Sequence, residues 1–175
     1  MHWYAVHTRS RHERKAAEEI RQLCEVFLPE YWCRSRRRDR FKRIRRPLFP
    51  GYLFVRSALT PSARLGILQV RGVVRIVGNR SQPVPVPEVE VASLQRLLHA
   101  AQDAGPHPLI QGQRVEVMAG TLRGVIGRVA SSPRGKRIVV TVELLGRAVS
   151  ARLDTDALAP YEDDPAKRIV STRRS

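Results

Sequence analysis

Apolar positions in the first part of the chain switch between the two-residue period of strands and the helical period. Trp3-Tyr4-Ala5-Val6-His7-Thr8 is rich in aromatic and β-favouring residues and predicts a strand. Ala16, Ala17, Ile20, Leu23 and Cys24 then recur at i, i+1, i+4, i+7 and i+8, one face of a helix, with Arg14, Lys15, Glu18 and Arg21 elsewhere on it. Val26-Phe27-Leu28 predicts a short buried strand stopped by Pro29. Pro47 to Gly51 reads as a turn, Tyr52-Leu53-Phe54-Val55 as a strong strand and Pro61 to Leu68 as a short helix. Val73 to Val77 is another strand, ended by Gly78-Asn79. Pro83, Pro85 and Pro87 make an extended entry to a second clear helix, whose stripe is Val91, Leu94, Leu98 and Ala101 with Leu97 beside it.

The pattern changes from about Leu109. Short alternating strands follow at Arg114 to Met118, Gly124 to Val129, Ile138 to Leu144 and Ala148 to Leu153, with glycines between them, as in a small all-β barrel. Gly105, Pro106 and Pro108 mark residues 103–108 as the linker. Residues 162–175 are charged and lack a core pattern, which predicts a flexible tail. The expected fold is α+β. An N-terminal antiparallel sheet flanked by helices spans 1–102, and a short linker joins it to a small C-terminal β-barrel over 109–161.

Charge narrows the partners. The 175 residues carry a net charge of +16, which favours a polyanion. Residues 1–102 hold 20 Lys/Arg against 8 Asp/Glu. Between Arg34 and Arg46, nine basic side chains face one acid, Asp39, in a segment read as a hairpin or a mobile loop. Nine cations in thirteen residues repel one another unless an anion is near. No apolar run approaches the ~18 residues of a membrane span, and Met1-His2-Trp3-Tyr4 does not open a signal peptide. The expectation is a cytoplasmic protein that does not engage a membrane. Cys24 and Cys33, the only cysteines, form no C-x-x-C pair, so neither a zinc knuckle nor another metal site is expected. The five histidines are scattered, and H-E-x-x-H, G-x-S-x-G and the phosphate-binding G-x-x-x-x-G-K-[ST] pattern are absent. Gly120, Gly124 and Gly127 fall between strands, where turn and bulge positions explain them. Neither catalysis nor a cofactor is expected.

Three features resemble the N-terminal domain of NusG-like transcription factors. They are Trp3-Tyr4-Ala5-Val6 before a basic helix, Leu48-Phe49-Pro50-Gly51-Tyr52-Leu53-Phe54-Val55, and Val70-Arg71-Gly72-Val73. Gly112-Gln113-Arg114-Val115-Glu116-Val117, Gly120, Gly124, Gly127, Val129 and Leu144-Leu145-Gly146-Arg147 resemble a KOW module, an SH3-like barrel. The likeness covers roughly residues 3–160 in the family's domain order. It implies an elongation factor that binds RNA polymerase, suppresses pausing and modulates termination. Phe49, Pro50, Tyr52 and Phe54 would grip the clamp helices of the largest subunit, although strand alternation cannot put all of them outside. Arg9, Arg11, Lys15, Arg36, Arg37, Arg38, Arg40, Lys42, Arg43 and Arg71 would face DNA of the transcription bubble. Leu144, Leu145 and Arg147 would meet a small-subunit ribosomal protein or termination factor Rho, and many family members have an aromatic where Leu145 stands. The arginine-rich insert leans toward a specialised, antiterminator-like paralogue (RfaH- or UpxY-like), working as a monomer. In one branch of the family the barrel refolds to helix, and the β-patterned 136–144 segment argues against that here. The competing expectation is a KOW-containing ribosomal or RNA-binding protein.

Overall fold

The computed structural model describes residues 1–34, 43–79, 82–101, 104–107, 112, 114–132, 135–142, 145–153 and 158–161. Two antiparallel sheets dominate it. The first is built around β1 (His2–Thr8), which pairs with β5 (Tyr52–Ser57) on one side and β6 (Val73–Ile76) on the other. β2 (Glu25–Phe27) extends this sheet beyond β5, and the short β9 (Pro85–Val86) pairs with the start of β1. Successive side chains leave a strand on opposite faces, and both faces are covered here. Tyr4, Val6, Leu53 and Val55 pack against Ala16, Ala17 and Ile20 of α1 (Glu13–Ile20) and Ile67 of α2 (Pro61–Gln69). Trp3, Ala5 and Phe54 pack with Val91, Leu94 and Leu97 of α3 (Glu88–Ala100) on the other face. Burial on both sides explains why β1 and β5 read as unbroken apolar runs. At the start of α2, the Thr60 hydroxyl accepts the Ala63 N–H at 3.3 Å, with Pro61 opening the helix.

Two ribbons complete this half. β3 (Glu30–Arg34) and β4 (Arg43–Pro47) form a hairpin, so both ends of the basic segment are strands, while residues 35–42 lie outside the described set. β7 (Gly78–Asn79) pairs with β8 (Gln82–Pro83).

The second sheet has the order β10-β14-β13-β12-β11-β15, from β10 (Gly105–His107), β14 (Arg147–Arg152), β13 (Gly135–Val142), β12 (Ile126–Ser132), β11 (Arg114–Val117) and β15 (Leu158–Pro160). Gly120 and Gly124 stand at positive φ in the turn between β11 and β12. Residues 135–142 are strand, which covers the described part of the β-patterned 136–144 segment.

The structure corrects several expectations. Gly105 to His107, read as linker, is strand: the extended backbone that Pro106 favours pairs with Ala148–Ser150. β15 had no signal beyond a short apolar pair before Pro160. Leu23 and Cys24, expected on the α1 face, lie beyond the helix, and Leu23 is 54% exposed. α3 buries Ser93 with Val91, Leu94 and Leu97, whereas Leu98 is half-buried and Ala101 lies past the helix end.

Candidate functional site

The turn between β4 and β5 carries the aromatic cluster. Gly51 has φ +82°, and its N–H donates at 2.8 Å to Oε1 of Glu13, a carboxylate buried at the start of α1. The Gly51 carbonyl accepts the Thr8 N–H at 2.8 Å. The turn is therefore held by β1 and α1 together. Phe49 and Phe54 meet edge to face, with ring centroids 6.0 Å apart, and both are fully buried. Tyr52 is half-buried and stacks on its cross-strand partner His7 at 5.0 Å. Pro50 is exposed. Of the four expected anchors, Phe49 and Phe54 thus offer no surface in this arrangement. Phe54 shares the β1–β5 face with Trp3 and Ala5, under α3 and the second sheet, so alternation drives it inward.

What lies over this face comes from the other end of the chain. The core cluster that contains Phe49 and Phe54 continues through α3 into Val115, Val117, Val125, Ile138 and Val149 of the second sheet region. The Ser93 hydroxyl accepts the Ile126 N–H at 3.1 Å, and Arg96 Nη1 donates to the Gly124 carbonyl at 2.6 Å. The Arg147 guanidinium sits 5.8 Å from the Tyr52 ring centre, and Leu145 packs against the same cluster. Arg147, expected to recruit a separate partner, thus lies beside Tyr52, an expected polymerase anchor. Leu144 lies outside the described residues.

The basic residues gather around the start of α1. The Arg9 N–H donates to the Gly72 carbonyl at 2.7 Å, which brings the β1–α1 connection against the turn that carries Arg71. Gly72 has φ +93°, and a Cβ there would stand 2.7 Å from the His12 Cβ, so the two loops touch where only glycine fits. Arg9, Arg11, Lys15 and Arg71 are all exposed. Arg14, in the first turn of α1, donates through Nε to Glu30 Oε1 at 2.7 Å and through Nη2 to the Arg45 carbonyl at 2.9 Å. This ties the β3–β4 hairpin, and exposed Arg43 with it, to the same helix. Arg36, Arg37, Arg38, Arg40 and Lys42 lie outside the described residues. Sequence reasoning did not single out Trp32, Arg45, Ser93 or Arg96. The arginines carried no pattern that set them apart from their neighbours, and Ser93 looked polar on a helix whose buried arc is wider than its apolar stripe.

A sequence model described as "Transcription termination factor nusG" matches residues 1–95, more than half of the chain. The chain belongs to the NusG family. Among its curated relatives is the transcription termination/antitermination protein NusG of Lactococcus lactis subsp. lactis, 26% identical over 165 residues, covering 87% of this chain and 89% of the relative. The Staphylococcus epidermidis NusG is 25% identical over 170 residues, covering 89% and 93%. A solved structure described as "Domain interaction in Thermotoga maritima NusG" superposes with a TM-score of 0.56 at 24% identity, covering 92% of this chain and 97% of that one, which supports the fold. Membership in a NusG family places the chain among transcription factors and agrees with its charge. Among the described residues no helix is long and apolar enough to cross a membrane. No group of three or more His, Cys, Asp or Glu stands together among them to hold a metal.

Proposed function

We propose that this chain is a transcription elongation and antitermination factor that binds RNA polymerase without catalysing a reaction. The reading divides the chain into a polymerase-binding unit over 1–102 and a KOW-type barrel over 109–161. The Phe49–Phe54 region takes the clamp helices of the largest subunit, and the basic end at Arg9, Arg11, Lys15, Arg71 and Arg43 follows DNA of the bubble. One observation carries it: the aromatic turn that the family pattern marks is pinned by Glu13 and Thr8, and its half-buried tyrosine has the Arg147 guanidinium beside it. A pinned turn presents its aromatics at low entropy cost, which suits a protein-docking anchor.

In this reading the described arrangement is a closed state. Arg147, whose guanidinium lies 5.8 Å from the Tyr52 ring centre, must on this reading move before Tyr52 meets a clamp helix, so polymerase binding requires the second sheet to leave α3. Once released, Leu145 and Arg147 are free for a ribosomal protein or Rho. The factor acts by shifting the polymerase toward its pause-free population.

The test is capture of core RNA polymerase at ~0.15 M salt, which screens loose electrostatic contacts, by the full chain and by a Tyr52→Ala variant shown to melt like the parent. Binding by the parent and loss in the variant supports the anchor. Equal binding by both removes Tyr52 from the interface, and binding by neither sinks the polymerase reading.

A further inference from the structure

The chain has two tryptophans, and they sit in opposite environments. Trp3 is 5% exposed inside the core, whereas Trp32 is 49% exposed on the β3–β4 hairpin. In the hairpin register Trp32 stands directly across from Arg45, and Arg43 lies two residues further along the same face. Their guanidinium carbons are 4.9 Å and 5.9 Å from the Trp32 ring centre. Both arginines are exposed, and among the described residues neither has an ion-pair partner. The same face begins at Glu30, where Arg14 fastens the hairpin to α1. The indole is thus held at a fixed place, beside two exposed cations and next to the Arg34–Arg46 segment with nine basic residues against one acid.

We infer that Trp32 is a stacking platform for an unpaired base of single-stranded DNA, with Arg43 and Arg45 binding the phosphates that flank it. Every base has a π-face, so an exposed indole takes one without sequence preference, and nearby guanidiniums supply the backbone contacts. A flexible arginine that rests over the ring in the free protein can swing to a phosphate as the base takes its place. A duplex hides its base faces and cannot use the ring. The inference rests on the reading that this chain works at a melted stretch of DNA, and it adds a base-binding element outside the α1 end.

The test measures binding of the full chain to fluorescein-labelled dT12, rU12 and a 12-base-pair duplex at ~0.15 M salt. Trp32→Ala is expected to weaken dT12 binding by about five- to 150-fold and leave the duplex unchanged. Trp32→Phe should keep most of the affinity, because a phenyl ring also stacks. Intrinsic tryptophan fluorescence should be quenched by dT12 in the parent and not in Trp32→Phe, since Trp3 is buried. Unchanged dT12 binding by Trp32→Ala, or an equal loss for dT12 and duplex, overturns the platform. Tighter binding of rU12 than dT12 overturns the assignment to DNA. Polymerase capture by Trp32→Ala separates the two readings: capture retained with dT12 binding lost supports both, and capture retained with dT12 binding unaffected sinks the platform alone.

Discussion

The seam between α3 and the second sheet can be loosened at two atoms. Ser93 and Arg96 are three residues apart, so they share a face of α3, and they bond to Ile126 and Gly124. Ser93 is 2% exposed, so Ser93→Ala leaves the Ile126 N–H without that acceptor in a partly buried place, a loss of about 1–3 kcal/mol. Arg96 is exposed, and the Gly124 carbonyl can be rehydrated, so Arg96→Ala costs about 1 kcal/mol. The two sites adjoin and will not add fully. A combined loss of about 2–3 kcal/mol raises the open population roughly 30- to 150-fold at about 1.4 kcal/mol per decade. If only the open chain binds polymerase, the apparent affinity rises with that fraction until the open form dominates. Association of the double variant with core polymerase, followed by surface-immobilised binding kinetics, should be correspondingly faster, and amide exchange at Ile126 should accelerate. Arg128→Ala removes a bond to the Gly112 carbonyl within the second sheet region and should leave association unchanged. A double variant that binds at the parent's rate with unchanged exchange would refute the closed state as a barrier to docking.

Four further outcomes follow from the packing. Phe54→Ala empties a fully buried position beside Phe49 and Phe27 and should cost about 3–5 kcal/mol in urea unfolding; a loss below about 1 kcal/mol would mean the core collapses around it. Gly72→Ala forces a side chain into φ +93° against His12, and calorimetry should show a loss of at least about 1–3 kcal/mol; a neutral result would contradict the contact between the two loops. Glu13→Ala strips the acceptor from the Gly51 N–H, so it should destabilise by about 1–3 kcal/mol and weaken polymerase capture, while Glu13→Gln, which keeps an acceptor oxygen, should do less. Burial, and secondly the charge of Glu25, raise the Cys24 thiol above its ordinary value. The group therefore favours the fold below the ordinary thiol range and loses that contribution as pH climbs through it. In a Cys33→Ser chain, iodoacetamide should label Cys24 more slowly at pH 8 when folded than when unfolded in urea, and equal rates would contradict that environment.

The elements that the sequence announced are those whose burial is simple. β1 and β5 are covered on both faces and show as dense apolar runs; α1 and α3 each show a stripe that packs on one face of the first sheet. What stayed hidden depends on contacts between distant segments. β10 is three residues containing glycine and proline, and nothing in its composition says that residues 148–150 lie beside it. Ser93 reads as a polar break in the α3 stripe until a second sheet supplies an N–H for it to accept. Phe49 and Tyr52 are legible as aromatics at a turn, but Arg147, 95 positions on, stands beside the Tyr52 ring, which no local pattern encodes. Trp32 is the reverse case. No sequence pattern singles it out, and its exposure emerges once the register sets Arg45 opposite and Arg14 clamps the hairpin. In both places the local pattern chose the residue type, and long-range pairing decided whether that residue faces a partner or the core. Half-buried Tyr52 beside Arg147 and exposed Trp32 therefore make different demands on binding. On the proposed reading, a protein partner must first displace the second sheet, whereas a DNA strand meets the hairpin at once, so nucleic-acid contact would precede opening and polymerase docking would follow it.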